Sequence, residues 1–93
     1  MDIRQGEFVY ALKGRDAGKC FIAIICEENY LYLCDGRRRK VTCPKKKKIK
    51  HVEATGICDD YIVSRLAAVG KLTNKEVRCS IRDFVLRASE QNY

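Results

Sequence analysis

Positive charge is concentrated in one segment of this 93-residue chain, residues 37–51, which read RRRKVTCPKKKKIKH. The segment holds nine Lys or Arg and no Asp or Glu, whereas the rest of the chain carries ten basic and twelve acidic residues. The net charge of +7 therefore comes from this segment alone. Arginine forks bind phosphates in a bidentate manner, and lysines supply mobile point charges. The segment predicts a nucleic-acid interface, with a solvated surface loop as the alternative.

A second candidate site is the stretch GRDAGK, residues 14–19. It looks like a nucleotide-binding phosphate loop, but its spacing is one residue short and Cys20 replaces the Ser or Thr that binds magnesium. Two glycines four residues apart instead predict a tight connection between strands, where the backbone needs a positive φ. We expect Arg15 and Lys19 to project from this connection, and Asp16 to fix the turn or to orient an arginine.

Six cysteines and a single histidine are the remaining candidates for metal binding or nucleophilic chemistry. No two cysteines have the Cys-x-x-Cys spacing of zinc sites. The N-terminal residues lack the apolar region of a secretory signal, so we expect a cytosolic chain with reduced cysteines that are buried as small hydrophobes, Cys20 and Cys26 above all. We predict no metal and no cofactor.

His51 lacks a third group that would orient it for catalysis. It fits a phosphate or 2′-hydroxyl contact better, with a solvated edge residue as the alternative. The sequence also contains no paired carboxylates and no triad-like grouping, so we predict that the protein is not an enzyme.

The first 55 residues are predicted to form short strands and tight turns, and these elements must position the candidate residues. Strands are predicted at Glu7–Leu12, Cys20–Cys26, Tyr30–Cys34, Arg38–Cys43 and around Ile49–Ala54. The run CFIAIIC contains no polar side chain, so this strand should be covered on both faces. Five short strands joined by turns such as Asp35-Gly36 predict a small, highly curved barrel.

The last third of the chain has a helical period. Asp59 or Asp60 can cap a helix that runs to about Val69, where Gly70 would end it. Residues 73–76, TNKE, form a capping box, and apolar residues then recur on one helix face up to about Ser89. We expect both helices to pack on the barrel and to supply the second cover of CFIAIIC. The predicted division is residues 1–55 for the barrel and 56–93 for the helical extension, within one folded unit.

Two tyrosines and two helical arginines could enlarge the interface. Tyr30 and Tyr32 lie on the same side of a predicted strand, where they could stack on bases or pack beneath the C-terminal helices. Without a clear stacking surface, we expect recognition of the shape and backbone of folded RNA. Arg78 and Arg82 could extend the basic patch or keep the polar face of the last helix soluble.

The run from Gly6 to about Ile25, centred on residues 14–19, resembles the KOW motif. That motif occurs in several large-subunit ribosomal proteins and in NusG-type transcription elongation factors, where it forms part of an SH3-like β-barrel whose loop contacts RNA. Residues 35–41 and 44–51 are similar to the branch of short KOW proteins related to ribosomal proteins of archaea and eukaryotes. The resemblance covers about residues 6–52 and extends weakly to the helix beginning at Thr73. Phe21 stands where many KOW motifs have a further Gly, a departure that favours the short auxiliary branch.

The resemblance implies a mostly β fold, with an SH3-like barrel of about five strands followed by two α-helices packed on it. It also implies a cytoplasmic RNA-binding protein that binds structured ribosomal RNA as a ribosome-associated or auxiliary translation factor. We expect a monomer when free and protein contacts within a ribonucleoprotein. We expect no membrane partner, because the longest apolar run, Cys20–Cys26, is too short to span a bilayer. A protein-interaction module that binds an acidic partner in transcription or translation is the alternative. The expected nucleic-acid-binding residues are Lys13, Arg15, Lys19, Arg37, Arg38, Arg39, Lys40, Lys45, Lys46, Lys47, Lys48, Lys50 and His51.

Overall fold

Five β-strands precede two α-helices in the computed structural model, which describes residues 2–90. The strands are β1 (Glu7–Ala11), β2 (Cys20–Cys26), β3 (Tyr30–Cys34), β4 (Lys45–Lys48) and β5 (Val52–Cys58). A 3₁₀-helix, Ile49–His51, connects β4 to β5, and the α-helices are α1 (Asp60–Ala68) and α2 (Asn74–Glu90). The predicted mostly β fold with two C-terminal helices is confirmed.

The strands form one antiparallel sheet in the order β4-β3-β2-β1-β5. The two edge strands are consecutive along the chain and are separated only by the 3₁₀-helix. In a flat sheet they would lie roughly 19 Å apart, whereas the four peptide steps from Lys48 to Val52 span at most about 14 Å. The sheet must therefore curl. The predicted barrel is not closed, because within residues 2–90 β4 pairs only with β3 and β5 only with β1.

The apolar strand β2 is buried on both faces, as its sequence predicts. One side of the sheet packs against the helices, and the other side fills the curl. The helix-facing cluster comprises Phe8, Ile22, Ile24, Cys34, Ile62, Leu72 and Val77. The inner cluster comprises Val9, Ala11, Phe21, Ala23, Leu31, Leu33 and Val52. The prediction that the C-terminal helices supply the second cover of CFIAIIC is confirmed.

The fourth strand differs from the prediction of Arg38–Cys43, because it lies after Pro44 at Lys45–Lys48. The residues between β3 and β4 use their backbone donors outside the sheet. The Asp35 carboxylate accepts hydrogen bonds from the amides of Arg37 and Arg39, both at 2.9 Å, which folds this segment into a loop. The fifth strand also starts later than predicted and continues to Cys58, so the predicted division between residues 55 and 56 falls inside it.

Both predicted helix starts are confirmed. The Asp59 carboxylate accepts a hydrogen bond from the Tyr61 amide at 2.9 Å and caps α1. The capping box of α2 has both of its hydrogen bonds, from the Glu76 amide to Thr73 Oγ1 at 3.1 Å and from the Thr73 amide to Glu76 Oε1 at 2.8 Å. Neither helix has both the length and the apolar composition that a bilayer crossing requires in the part of the chain described.

The cysteines are all free thiols, but they differ in exposure. Cys34 is buried in the helix-facing cluster, and Cys20 is partly buried against it. Cys26 and Cys43 were expected to be buried and are exposed, because Cys26 ends β2 beyond its register shift and Cys43 lies in the connection between β3 and β4. Burial raises the pKa of Cys34 to about 12, and burial likewise raises the pKa of Cys20 to about 12.

Candidate nucleic-acid interface

The connection between β1 and β2, residues 12–19, is a tight loop that we call the glycine loop. Gly14 and Gly18 both have a φ of +85°, as the glycine spacing predicts. The Gly18 amide donates to the Ala11 carbonyl at 2.8 Å, so the loop closes directly on the end of β1. Arg15 and Lys19 are exposed on it, also as predicted.

Asp16 lies at the base of the glycine loop and is only 6% exposed. Its Oδ2 atom accepts two hydrogen bonds from Arg39, from Nε at 3.1 Å and from Nη2 at 3.0 Å. Its Oδ1 atom lies 4.0 Å from the Lys19 ammonium. The prediction that Asp16 orients an arginine is confirmed, and Arg39 is that arginine.

The protonation of Asp16 reflects these contacts. Burial alone would raise the pKa of the carboxyl group, because desolvation disfavours the charged form. The hydrogen bonds and charge of Arg39, together with the charges of Lys19 and Lys47, outweigh burial and lower the pKa of Asp16 below its ordinary value. Asp16 is therefore an ionised carboxylate among cations from three separate segments of the chain.

Lys47 brings the edge strand β4 to the glycine loop. Its ammonium donates a hydrogen bond to the Lys13 carbonyl at 2.6 Å, and it lies next to Gly14. Lys47 is half-buried, since its stem starts opposite Leu31 at the rim of the inner cluster. The glycine loop thus contacts both basic runs, through Arg39 and through Lys47.

The four lysines of β4 divide between the two faces of the strand. Lys45 and Lys47 lie opposite Leu33 and Leu31, whose side chains belong to the inner cluster. The alternate residues Lys46 and Lys48 lie opposite Tyr32 and Tyr30, on the other face. The lysine run therefore presents positive charge on both sides of the sheet edge.

Lys46 covers the tyrosines that were candidates for base stacking. Its ammonium lies 4.4 Å from the centre of the Tyr30 ring and 5.9 Å from that of Tyr32. Tyr32 also packs against the helix-facing cluster, which agrees, for Tyr32 and not for Tyr30, with the alternative of packing beneath the helices. The geometry favours contacts from cations to the nucleic-acid backbone over an open stacking surface.

The connection between β3 and β4, residues 35–44, carries three arginines and is called the arginine loop here. Helix α2 holds it at both ends. Arg78 Nη1 donates to the Gly36 carbonyl at 2.9 Å, and the Asn74 side-chain oxygen accepts from the Val41 amide at 2.9 Å. A Cβ at Gly36 would overlap the Asn74 carbonyl oxygen and the Arg78 side chain, so the contact is close.

Asn74 and Arg78 were not predicted to have this role. From the sequence, Arg78 could belong either to the basic patch or to a soluble helix face, and nothing indicated a role for Asn74. Both residues support the arginine loop, whereas Arg82 pairs with its neighbour Asp83 at 3.5 Å. In the sequence, this contact was indicated only by the glycine at position 36. In the structure Gly36 has a φ of +77°, which allows the loop to approach α2.

His51 ends the 3₁₀-helix, and its carbonyl accepts a hydrogen bond from the Leu12 amide at 2.9 Å. Desolvation lowers the pKa of its imidazole, and the nearby positive charges lower it further. These charges belong to Lys13, Lys50, Lys48 and Lys47. His51 therefore lies among the predicted cations and is mostly neutral at pH 7.

Most of the predicted binding residues are exposed and have no ion pair. Within residues 2–90, no carboxylate pairs with the side chains of Arg15, Arg37, Arg38, Lys40, Lys45, Lys48 and Lys50. Arg39 and Lys47 are half-buried and hold the loops together instead. The site therefore consists of fixed cations at its base and free cations around them.

A cavity of about 490 Å³ lies between the end of β5 and helix α2, and three aspartates line it. One of them, Asp59, accepts hydrogen bonds from the Ser80 hydroxyl at 2.5 Å and from the Tyr61 amide, so it joins the two helices. Within the part of the chain that the structure describes, no group of three or more His, Cys, Asp or Glu side chains could hold a metal ion. None of the predicted binding cations lines this cavity.

Neither a protein-family model nor a curated protein sequence matches the chain. Two basic loops and a basic edge strand lie side by side, joined by the Asp16–Arg39 and Lys47–Lys13 contacts. Such a concentration of positive charge attracts polyanions.

Proposed function

We propose that this protein is a non-enzymatic RNA-binding protein whose interface comprises the glycine loop, the arginine loop, β4 and the 3₁₀-helix. The observation that carries the proposal is that the glycine loop contacts both other basic segments, through the Asp16–Arg39 pair and the Lys47–Lys13 hydrogen bond, with exposed cations around these contacts. Exposed lysines and arginines bind phosphates through charge-assisted hydrogen bonds. The interface would make contacts to the backbone rather than to base edges.

Folded RNA fits this surface better than a flexible strand does. Lys46 lies over the Tyr30 ring and Tyr32 packs against the helix-facing cluster, so the two rings do not form a shared open surface for successive unstacked bases. The loops are anchored to each other and to α2, which suits a ligand with fixed phosphate spacing. The resemblance of residues 6–52 to KOW proteins supports ribosomal RNA as the target and a cytoplasmic, ribosome-associated or auxiliary role in translation.

The dependence of binding on salt tests this proposal. Binding of a labelled ribosomal RNA stem-loop, followed by fluorescence anisotropy across a series of salt concentrations, measures the number of phosphates neutralised. Roughly five to eight phosphate contacts would give a log–log slope of about −4 to −7. An affinity that does not change with salt, or no measurable affinity, contradicts the proposal.

A charge-matched pair of variants tests the location of the interface. Lys45→Gln/Lys48→Gln removes two exposed cations from β4 and should weaken binding to all folded RNAs to a similar extent. Lys71→Gln/Lys75→Gln removes the same charge from exposed positions outside the predicted set and should have a smaller effect. Equal losses in the two variants would indicate a general effect of net charge and would contradict the proposed interface.

A second candidate function is a protein-interaction module, and the position of β4 is the observation that favours it. Because β4 is an edge strand, an extended acidic segment of another protein could pair with it and neutralise its lysines. Capture of partners from a lysate, with and without ribonuclease, distinguishes the two functions. Partners that remain bound after digestion favour this second function, and partners lost on digestion favour RNA binding.

A further inference from the structure

Asp16 is a negative charge at the centre of a surface that is otherwise positive. In a simple electrostatic description, a carboxylate in this position repels a polyanion and weakens its binding. The carboxyl group stays ionised despite its burial, because Arg39, Lys19 and Lys47 lower its pKa. A buried, ionised acid in an RNA interface therefore needs an explanation other than charge complementarity.

The contacts of Asp16 provide one. It lies in the glycine loop, and both of its charged hydrogen bonds come from Arg39 in the arginine loop. These bonds join residues of two different loops that are 23 positions apart in the chain. The far side of the arginine loop is held by α2 through Asn74 and Arg78. The arginine loop is thus fixed between the glycine loop and a helix, and Asp16 makes one of the two attachments.

We infer that Asp16 is a positioning residue that gives the interface its preference for folded RNA over flexible polyanions. This inference rests on the proposed function. Asp16 holds Arg39 and the free arginines beside it at a fixed distance from the cations of the glycine loop. An A-form RNA helix presents its phosphates at fixed spacings, so a prearranged set of cations binds it with less loss of conformational entropy.

A flexible polyanion responds differently to the same residue. A single strand such as poly(U) adapts its own shape to the cations, so it gains little from their fixed arrangement. For that ligand, the repulsion by Asp16 is the main effect. Removing the charge of Asp16 should therefore weaken the binding of folded RNA without weakening the binding of poly(U).

The variant Asp16→Asn tests the inference, with Glu28→Gln as its matched control. Glu28 is exposed beside Lys48 and Lys50 at the sheet edge, and within residues 2–90 it forms no ion pair. Asp16→Asn should lower the affinity for a ribosomal RNA stem-loop by roughly tenfold and leave poly(U) binding unchanged or tighter. Glu28→Gln should leave both affinities unchanged or slightly tighter. Tighter binding of both RNAs by Asp16→Asn overturns the inference.

A double-mutant cycle with Arg39 separates positioning from a general loss of structure. In an Arg39→Gln background the partner of Asp16 is already absent, so Asp16→Asn should no longer lower stem-loop affinity. A further loss in that background would mean that Asp16 acts through the fold as a whole, which overturns the inference. Thermal unfolding of each variant sets a temperature at which all of them are folded for the comparison.

The same measurements distinguish a failure of the proposed RNA-binding function from a failure of the role inferred for Asp16. If the wild-type protein binds neither RNA, the proposed function fails and the inference fails with it. If the wild-type protein binds the stem-loop with the expected salt dependence but Asp16→Asn binds it more tightly, only the role of Asp16 is wrong.

Discussion

Arg78 in helix α2 donates a hydrogen bond to the carbonyl of Gly36, a residue 42 positions earlier in the chain. The bond places the first turns of α2 directly behind the arginine loop. A second bond, from the Val41 amide to Asn74, fixes the other end of that loop. The helix therefore contributes to the candidate interface by supporting a loop, while most of the expected RNA contacts come from the sheet and its connections.

The close approach of Gly36 to α2 makes a steric prediction. Gly36→Ala would force a Cβ into the Asn74 carbonyl and the Arg78 side chain at a positive φ, so we expect a loss of about 2–4 kcal/mol in the free energy of unfolding. Gly18→Ala is the matched control, since its φ is +85° and no atom lies within 4 Å of the added Cβ. It should cost only about 1–2 kcal/mol. Urea unfolding measures both, and equal losses would mean that packing against α2 contributes nothing.

His51 predicts a dependence of RNA binding on pH. Desolvation and nearby lysines lower the pKa of its imidazole in the free protein, whereas a bound phosphate would raise it. Protons are then taken up on binding, so affinity should rise as the pH falls from about 7.5 to 5.5. His51→Gln should flatten this part of the profile, as anisotropy measurements at several pH values would detect. A profile that is the same in both proteins would exclude His51 from the interface.

Asp16 also predicts a dependence of stability on pH. The folded pKa of this carboxyl group is lower than its unfolded value, so its contribution to stability is present above the unfolded pKa and is lost as pH falls through the folded pKa. At pH 7, Asp16→Asn should reduce the free energy of unfolding by about 1–3 kcal/mol through the weaker hydrogen bonds to Arg39. The difference between variant and wild type should shrink in the pH range below the unfolded value of about 3.9. A constant difference across that range would show that ionisation of Asp16 is not involved.

The capping box of α2 predicts a measurable contribution to the stability of the protein. Thr73→Ala removes the hydroxyl that accepts from the Glu76 amide and should cost about 1 kcal/mol in the free energy of unfolding. Thr73→Ser keeps the hydroxyl and should restore most of the stability. Because α2 supports the arginine loop, amide hydrogen exchange at Val41 should rise in the alanine variant and not in the serine variant.

Thiol exposure predicts an order of modification. Cys43 is exposed in the arginine loop, whereas the burial of Cys20 and Cys34 raises the pKa of each thiol to about 12. Iodoacetamide at pH 8 should therefore label Cys43 in the folded protein and reach Cys20 and Cys34 only after unfolding. Peptide mass spectrometry gives the order, and early labelling of Cys34 would contradict the described core.

The sequence predicts best those features that depend on neighbouring residues. The uninterrupted apolar run of β2 indicates burial on both faces, and the residues from Thr73 to Glu76 contain both halves of their capping interaction. The strand β4 was missed because four lysines have neither an apolar alternation nor a high β propensity, so only its pairing with β3 makes it a strand. The pairing of the strands also determines which arginine side chain contacts Asp16. The sequence indicated an arginine, but which one depends on how the loops on either side of β2 and β3 meet.

The distance along the chain between the arginine loop and its support has a consequence for synthesis. The loop is complete at residue 44, but Asn74 and Arg78 are added to the chain only thirty or more residues later. A ribosome-bound nascent chain that has not yet reached α2 carries all of the clustered cations without the contacts that fix their positions. We expect such chains to bind polyanions without selectivity, and the finished chain to gain its discrimination only when the last helix has docked.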